Sequence, residues 1–348
     1  MSASETRPTQ EYFAAANGYT GFRSYFGEVF DTKSYERIFI IKGGPGTGKS
    51  SFMKKIASRL SELCDVEAIL CSSDPKSYDG IILSRGEHKF AVMDGTAPHV
   101  RDAEIPGAID TIINLGDNWD DRWLIGKRDE ILALTNEKKR AYSAAYNYLN
   151  LAGGTKHYSE RLLRENHLIN LKSQAKSAAE ELKCDRGATA VRLVSAFGRG
   201  GFVHLKTLES KAKRIIGIAG DRDASMMLMR LIFDELDGFA NLTVSPDVLD
   251  KKAVEALFIH DTKTLIRLGE AEKCISPELH SAPTENEIMR TMARMHSDLL
   301  NEAQRWFGIA AEFHFRLEEI YGAAMDYSKN DQICDLTVEK IASAVERC

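Results

Sequence analysis

The segment Gly43-Gly44-Pro45-Gly46-Thr47-Gly48-Lys49-Ser50 has the residue types and spacing of a phosphate-binding loop, GxxxxGKS. Gly43, Gly46 and Gly48 permit backbone turns and close approaches that a Cβ would obstruct. Loop N–H groups and the positive end of a following helix can then surround phosphate oxygens. Lys49 would neutralise the β- and γ-phosphates, and Ser50 would offer a hydroxyl to Mg²⁺. The expected nucleotide cradle is Gly43, Gly44, Pro45, Gly46, Thr47, Gly48, Lys49, Ser50 and Ser51. A carboxylate at the end of a second buried strand should help hold the metal. Lys89-Phe90-Ala91-Val92-Met93-Asp94 supplies one in Asp94. Gly95 follows it instead of a water-activating Glu, which points to slow hydrolysis. Asp74, at the end of the apolar run Val66 to Cys71, could be a metal ligand, a general base or a substrate contact. It could equally open a turn before Pro75. His99 and Arg101 could border the γ-phosphate or serve structure alone.

These residues need elements to position them. Ile38-Phe39-Ile40-Ile41 is a β-branched and aromatic run suited to a buried parallel strand. After the loop, Phe52, Met53, Ile56, Ala57, Leu60 and Leu63 recur at helical spacing. Strand, glycine loop and helix therefore follow in the order a phosphate cradle needs.

The chain repeats this plan. Ala16-Asn17-Gly18-Tyr19-Thr20-Gly21-Phe22 returns as Ala196-Phe197-Gly198-Arg199-Gly200-Gly201-Phe202, and an apolar strand follows each copy. Matching Ile40 to Ile215 sets Ser225 over Ser50, Ala224 over Lys49 and Asp223 over Gly48. Leu268 falls where Asp94 stood. Asp221 and Asp223 bring negative charge to the second loop, and Arg222 does not match Lys49 in this alignment. The second half is thus expected to keep the frame and lose the phosphate chemistry.

Each half carries a helical tract. Arg128 to Leu151 and Tyr158 to Leu182, with a turn at Gly153-Gly154, suggest a helical hairpin over about 127–183. Thr284 and Glu287 suggest a capping box ahead of a long helix containing Met292, Leu299, Phe307 and Phe313. The expected domains are 1–185 and 186–348.

The 348 residues hold 46 Lys and Arg against 51 Asp and Glu, so net charge gives no case for nucleic acid. No apolar run approaches the roughly 20 residues of a membrane helix. The polar start lacks a signal-peptide core. The scattered cysteines (Cys64, Cys71, Cys184, Cys274, Cys334 and Cys348) suit a reducing cytoplasm.

With the glycine loop, the stretch Met93 to Asp120 and the repeated plan in view, the chain resembles bacterial two-halved P-loop proteins catalogued as ATPases or ATP-binding proteins. The phrases Met93-Asp94-Gly95-Thr96-Ala97-Pro98-His99-Val100, Pro106-Gly107-Ala108-Ile109-Asp110 and Ile112-Ile113-Asn114-Leu115-Gly116-Asp117-Asn118-Trp119-Asp120 carry that likeness. It spans nearly the whole chain and implies nucleotide binding without implying one reaction. The expectation is a duplicated α/β P-loop NTPase fold with helical-hairpin additions and a degenerate second copy. Its function would be ATP binding with slow Mg²⁺-dependent hydrolysis in the first half. One alternative is a phosphotransferase, with Asp74 deprotonating a small-molecule acceptor. Another is a nucleotide-gated scaffold for a protein partner. The absence of an [NT]KxD guanine-reading motif favours ATP over GTP.

Overall fold

The computed structural model describes residues 9–183, 186–279 and 283–347, with backbone alone at 164–166 and 283–286. The chain is an α/β protein with two six-stranded mixed sheets, each flanked by helices. The first sheet runs Gln10–Phe13, Asp65–Leu70, Tyr78–Arg85, His88–Asp94, Arg37–Lys42, Asp110–Asn114. Successive neighbours are parallel, antiparallel, antiparallel, parallel and parallel. The second sheet runs Thr189–Val191, Leu242–Pro246, Val254–Ile259, Thr264–Leu268, Arg214–Ile218, Lys273–Ile275. Its neighbours have the same five orientations in the same order. Two further two-stranded sheets pair Ala15–Gly18 with Gly21–Ser24 and Ser195–Gly198 with Gly201–His204, each preceding in sequence the strand that leads into its copy's loop. This is the correspondence an internal repeat requires.

Residues divide into two compact units that interleave along the chain. The first comprises Met1–Ala14, Ser24–Ser143 and Trp306–Cys348; the second comprises Ala15–Arg23 and Ala144–Arg305. All strands of the first sheet precede residue 115 and all strands of the second follow residue 188, whereas the compact units are each assembled from separate stretches of chain. In the second unit the early hairpin is held by Asn17, whose amide donates to the Phe197 carbonyl at 2.8 Å. In the first unit the helix Lys49–Leu60 buries Phe52, Met53, Ile56 and Leu60 against Phe39, Ile41, Ile81 and Val92 of the sheet. The helix Tyr327–Glu346 joins that core through Cys334, Val338, Ile341 and Val345. A stripe at helical spacing reveals that a helix buries a face, but not which distant sheet it buries it against.

One expectation needs correction. No turn interrupts the first helical tract: Arg128–Glu180 is a single helix of 53 residues with Gly153 and Gly154 inside it. Gly in a helix costs about 0.5–1 kcal/mol relative to Ala, which weakens a long helix without ending it. Gly153 has a packing reason, since a Cβ there would stand 2.8 Å from the Tyr19 Cβ. The second long helix spans Pro283–Ala323, with the proline at its first position, where its fixed φ suits a helix start. Thr284 therefore lies inside the helix, and the side-chain contacts of its expected capping box fall outside the described residues. Cys184 and Cys348 lie outside them too; Cys64, Cys71, Cys274 and Cys334 form no disulfide. Among the described residues no helix is long and apolar enough to cross a membrane.

Two predictions follow from these elements. Nothing lies within 4 Å of a Cβ built on Gly154. Gly154→Ala should then stabilise the protein by about 0.5–1 kcal/mol in denaturant titration, whereas a glycine turn would make the same change destabilising.

In the second unit His204 bonds Glu209 at 2.9 Å and lies 3.3 Å from Glu255. Those carboxylates, Glu209 first, raise its pKa from 6.5 to about 9. The folded value exceeds the unfolded one, so this stabilisation is full below about pH 6.5 and fades as pH rises through about 9. Thermal melts of His204→Gln should lose less stability than wild type between pH 6 and 9.

Candidate functional site

The site begins with a register. Arg37–Lys42 and His88–Asp94 are adjacent and parallel, and Ile41 pairs with Asp94. Both chains leave the sheet at the same carboxyl edge, one into the glycine loop and one into Gly95. The Gly95 N–H donates to the Ile41 carbonyl at 2.9 Å, which fixes how close the two exits lie.

Gly46 and Gly48 take φ of +69° and +82°, so the loop doubles back before the helix starts at Lys49. At Gly46 a Cβ would also stand 2.4 Å from the Glu318 carbonyl oxygen. The first helical hydrogen bond runs from the Phe52 N–H to the Gly48 carbonyl at 2.9 Å. Lys49, Ser50 and Ser51 therefore carry the N–H groups that a helix start leaves without intrahelical acceptors. The same end carries the positive pole of the helix dipole.

Lys49 reaches back across the loop. Its Nζ donates to the carbonyls of Gly43 at 3.0 Å and Gly44 at 2.8 Å. It also lies 3.7 Å from Asp94 Oδ2, with both side chains only 13% exposed. The other Asp94 oxygen accepts from the Thr96 N–H at 2.8 Å and the Thr96 hydroxyl at 2.6 Å. Ser50 Oγ accepts from the Tyr78 N–H at 2.9 Å. The glycine loop, Lys49, Ser50 and Asp94 thus gather at one sheet edge. This is a cation beside a carboxylate and two loop carbonyls at the start of a helix.

Several supports were invisible in the motif. Lys42 Nζ donates to the carbonyls of Gly95 at 2.9 Å and Arg101 at 2.5 Å, and to Asp102 at 3.0 Å. It ties down the segment that follows Asp94. On the other side of the loop, Tyr327 donates from its hydroxyl to the Gly46 carbonyl at 2.8 Å. Asn330 donates to the Thr47 carbonyl at 2.9 Å and accepts from Asn118 at 2.8 Å. Trp119 and Tyr321 stand with ring centroids 5.6 Å apart, both beside Gly44.

The remaining candidates have local duties. Asp74 opens a turn, its carbonyl accepting from the Ser77 N–H at 2.8 Å. Its carboxylate accepts from the Ser77 hydroxyl at 3.4 Å. His99 is buried, stacks on Phe26 with centroids 4.2 Å apart, and pairs with buried Asp79 at 3.1 Å. Arg101 donates to the Phe30 carbonyl at 2.5 Å and faces Asp110 at 3.9 Å. Cys71 sits near Asp79, and burial, reinforced by that carboxylate, pushes its thiol pKa well up. It is held as a thiol and not as a nucleophilic thiolate.

The corresponding edge of the second sheet is built differently. The Gly269 N–H donates to the Ile218 carbonyl at 2.9 Å, matching the bond from Gly95 to Ile41. Ile218, not Ile216, is therefore the counterpart of Ile41, which corrects the alignment of Ile40 with Ile215. Leu268 remains opposite Asp94, paired to Ile218 as Asp94 is to Ile41. Gly220, with φ +130°, stands where Gly43 does, but its helix starts at Arg222, capped by Asp221. Arg222 and not Ala224 thus holds the first helical position, the place Lys49 takes in the first copy. Almost no loop lies between Gly220 and this helix, so loop N–H groups cannot form a cradle. Asp223 is paired with buried Lys156, which also lies 3.7 Å from Glu160. Its charge is met inside the second unit and does not stand unneutralised as the alignment implied.

No family model, no curated protein and no solved structure matches the chain, so what this edge can do is carried by its own geometry.

Proposed function

We propose that the first unit is a P-loop nucleotide-binding unit that takes ATP with Mg²⁺ and hydrolyses it slowly. The second unit serves structure or regulation. The observation that carries this reading is the seat of Lys49. A nearly buried ammonium rests on two loop carbonyls, 3.7 Å from Asp94, at the start of a helix. Triphosphate oxygens would replace those carbonyls as its partners, while the helix-start N–H groups receive the remaining phosphate charge.

Among the described residues no three His, Cys, Asp or Glu side chains cluster as a metal cage. That suits Mg²⁺, which takes one or two protein oxygens and fills its shell with water and phosphate oxygens. Ser50 Oγ and Asp94, hard oxygen donors flanking Lys49, would hold it. Bound there, the ion would neutralise charge on the β- and γ-phosphate oxygens. Hydrolysis would join a water oxygen to the γ-phosphorus while the bond to the ADP oxygen breaks. Gly95 explains why this should be slow. A Cβ there would stand 2.3 Å from Ile40 Cγ2, so no glutamate can follow Asp94 to orient the water.

Calorimetric titration with ATP·Mg²⁺ tests the reading. Hydrogen bonds to charged groups contribute about 1.5–3 kcal/mol, so Lys49→Ala should weaken binding by roughly 10- to 150-fold; the chain still folds, with a lowered melting midpoint because Asp94 loses its cation. Asp94→Asn should lower turnover more than affinity, because it removes charge at the metal and leaves the cradle. Unchanged binding and turnover in both variants would remove the assignment.

Titration should also give one ATP per chain. Arg222 lacks a glycine loop around it, so Arg222→Ala should leave affinity unchanged. A stoichiometry of two would show that the second unit binds nucleotide by other means.

A further inference from the structure

Tyr327 and Asn330 lie three residues apart at the start of the helix Tyr327–Glu346, so they share one face. The same stripe continues through Cys334, Val338, Ile341 and Val345 into the core of the first unit. The start of this helix is fixed from two sides. Asp326 caps it through the Ser328 N–H at 3.1 Å, and the Asp326 N–H donates to the Asn118 carbonyl at 2.8 Å. Asn330 is 5% exposed and held by Asn118, so its amide has one orientation that serves both bonds.

What these side chains grip are two successive carbonyls of the glycine loop, Gly46 and Thr47. A trans peptide is planar, and its C=O and N–H point in opposite directions. Drawing the Gly46 carbonyl toward Tyr327 therefore turns the Thr47 N–H the other way. Drawing the Thr47 carbonyl toward Asn330 does the same for the Gly48 N–H. Gly46 and Gly48 are both at positive φ, and glycine without a Cβ leaves many other backbone conformations open, so the loop needs an external hold. Thr47 supplies part of it from within, its hydroxyl donating to the Gly44 carbonyl at 2.8 Å.

We propose that Tyr327 and Asn330 are positioning residues for the anion cradle: by fixing the Gly46 and Thr47 carbonyls they aim the next two N–H groups at a bound polyphosphate. This rests on the nucleotide-binding reading above. It adds that the cradle is completed by a helix about 280 residues further along the chain.

The probe is inorganic tripolyphosphate with Mg²⁺, which has the phosphates of ATP and no base. Tyr327→Phe keeps the ring beside Gly48 and removes only the hydroxyl. Releasing one carbonyl anchor should weaken both tripolyphosphate and ATP by the same factor, about three- to tenfold, with a single cooperative thermal transition retained. Asn330→Ala, measured alongside, should weaken both ligands at least as much. Amide NMR should then show smaller tripolyphosphate-induced shifts at Thr47 and Gly48 in Tyr327→Phe than in wild type. Wild-type affinity for both ligands in Tyr327→Phe would overturn the proposal while leaving the nucleotide site standing. Loss of ATP binding with tripolyphosphate binding intact would overturn it too, because Tyr327 would then serve the base. A wild-type protein that binds neither ligand would overturn both this proposal and the function on which it rests.

Discussion

The parallel pairing of Ile41 with Asp94 is the constraint on which the geometry of the first unit's loop edge depends. Parallel neighbours send both chains off the sheet at one edge, so the glycine loop and the carboxylate meet without any long-range search. A slip of one residue in either strand would turn Asp94 to the opposite face of the sheet. The run Ile38 to Ile41 is buried on both faces, so the same shift would move each side chain out of the closely packed space that fits it. Packing energy spent on the core thereby also fixes the distance from Lys49 to Asp94.

The two sheets separate architecture from chemistry. All six strands of the second sheet keep the order and orientations of the first. What differs is the few residues between strand and helix. In the first copy the chain makes a glycine loop before the helix; in the second it caps the helix almost at once with Asp221. Without that loop the second copy has no run of glycine-loop N–H groups at this edge, whichever residue stands at the lysine position. The retained strand and helix still bury Ile216, Ile218, Leu228 and Ile232, enough reason for the frame to persist.

Much of this was legible in the sequence because it is local. Strand, loop and helix around Lys49, the strand ending at Asp94 and the repeated plan all rest on spacing within a few residues. The glycine pair at 153–154 misled because a single helix tolerates a propensity cost when packing supports it. The alignment of Ile40 with Ile215 misled because it ran strand and helix through one ungapped match, whereas the second copy has a shortened loop between them; the Gly269 to Ile218 hydrogen bond and the pairing of Ile218 with Leu268 reveal the register. Lys42, Asn118, Tyr327 and Asn330 carry no motif at all. Their duties arise from contacts across tens to hundreds of residues, which composition and periodicity do not encode.

The interleaving of the units has a consequence for how the chain is made. Trp306–Cys348 belongs to the first unit, yet roughly 160 residues of the second unit are synthesised between Ser143 and Trp306. At about 5–20 residues per second that delay is on the order of ten to thirty seconds. During it the Lys49–Leu60 helix lacks the apolar cover of Cys334, Val338, Ile341 and Val345. A nascent first unit therefore waits with part of its core open, and a fragment ending before residue 306 never closes it. Such a fragment contains the whole glycine motif, but sequence completeness at the loop is not structural completeness.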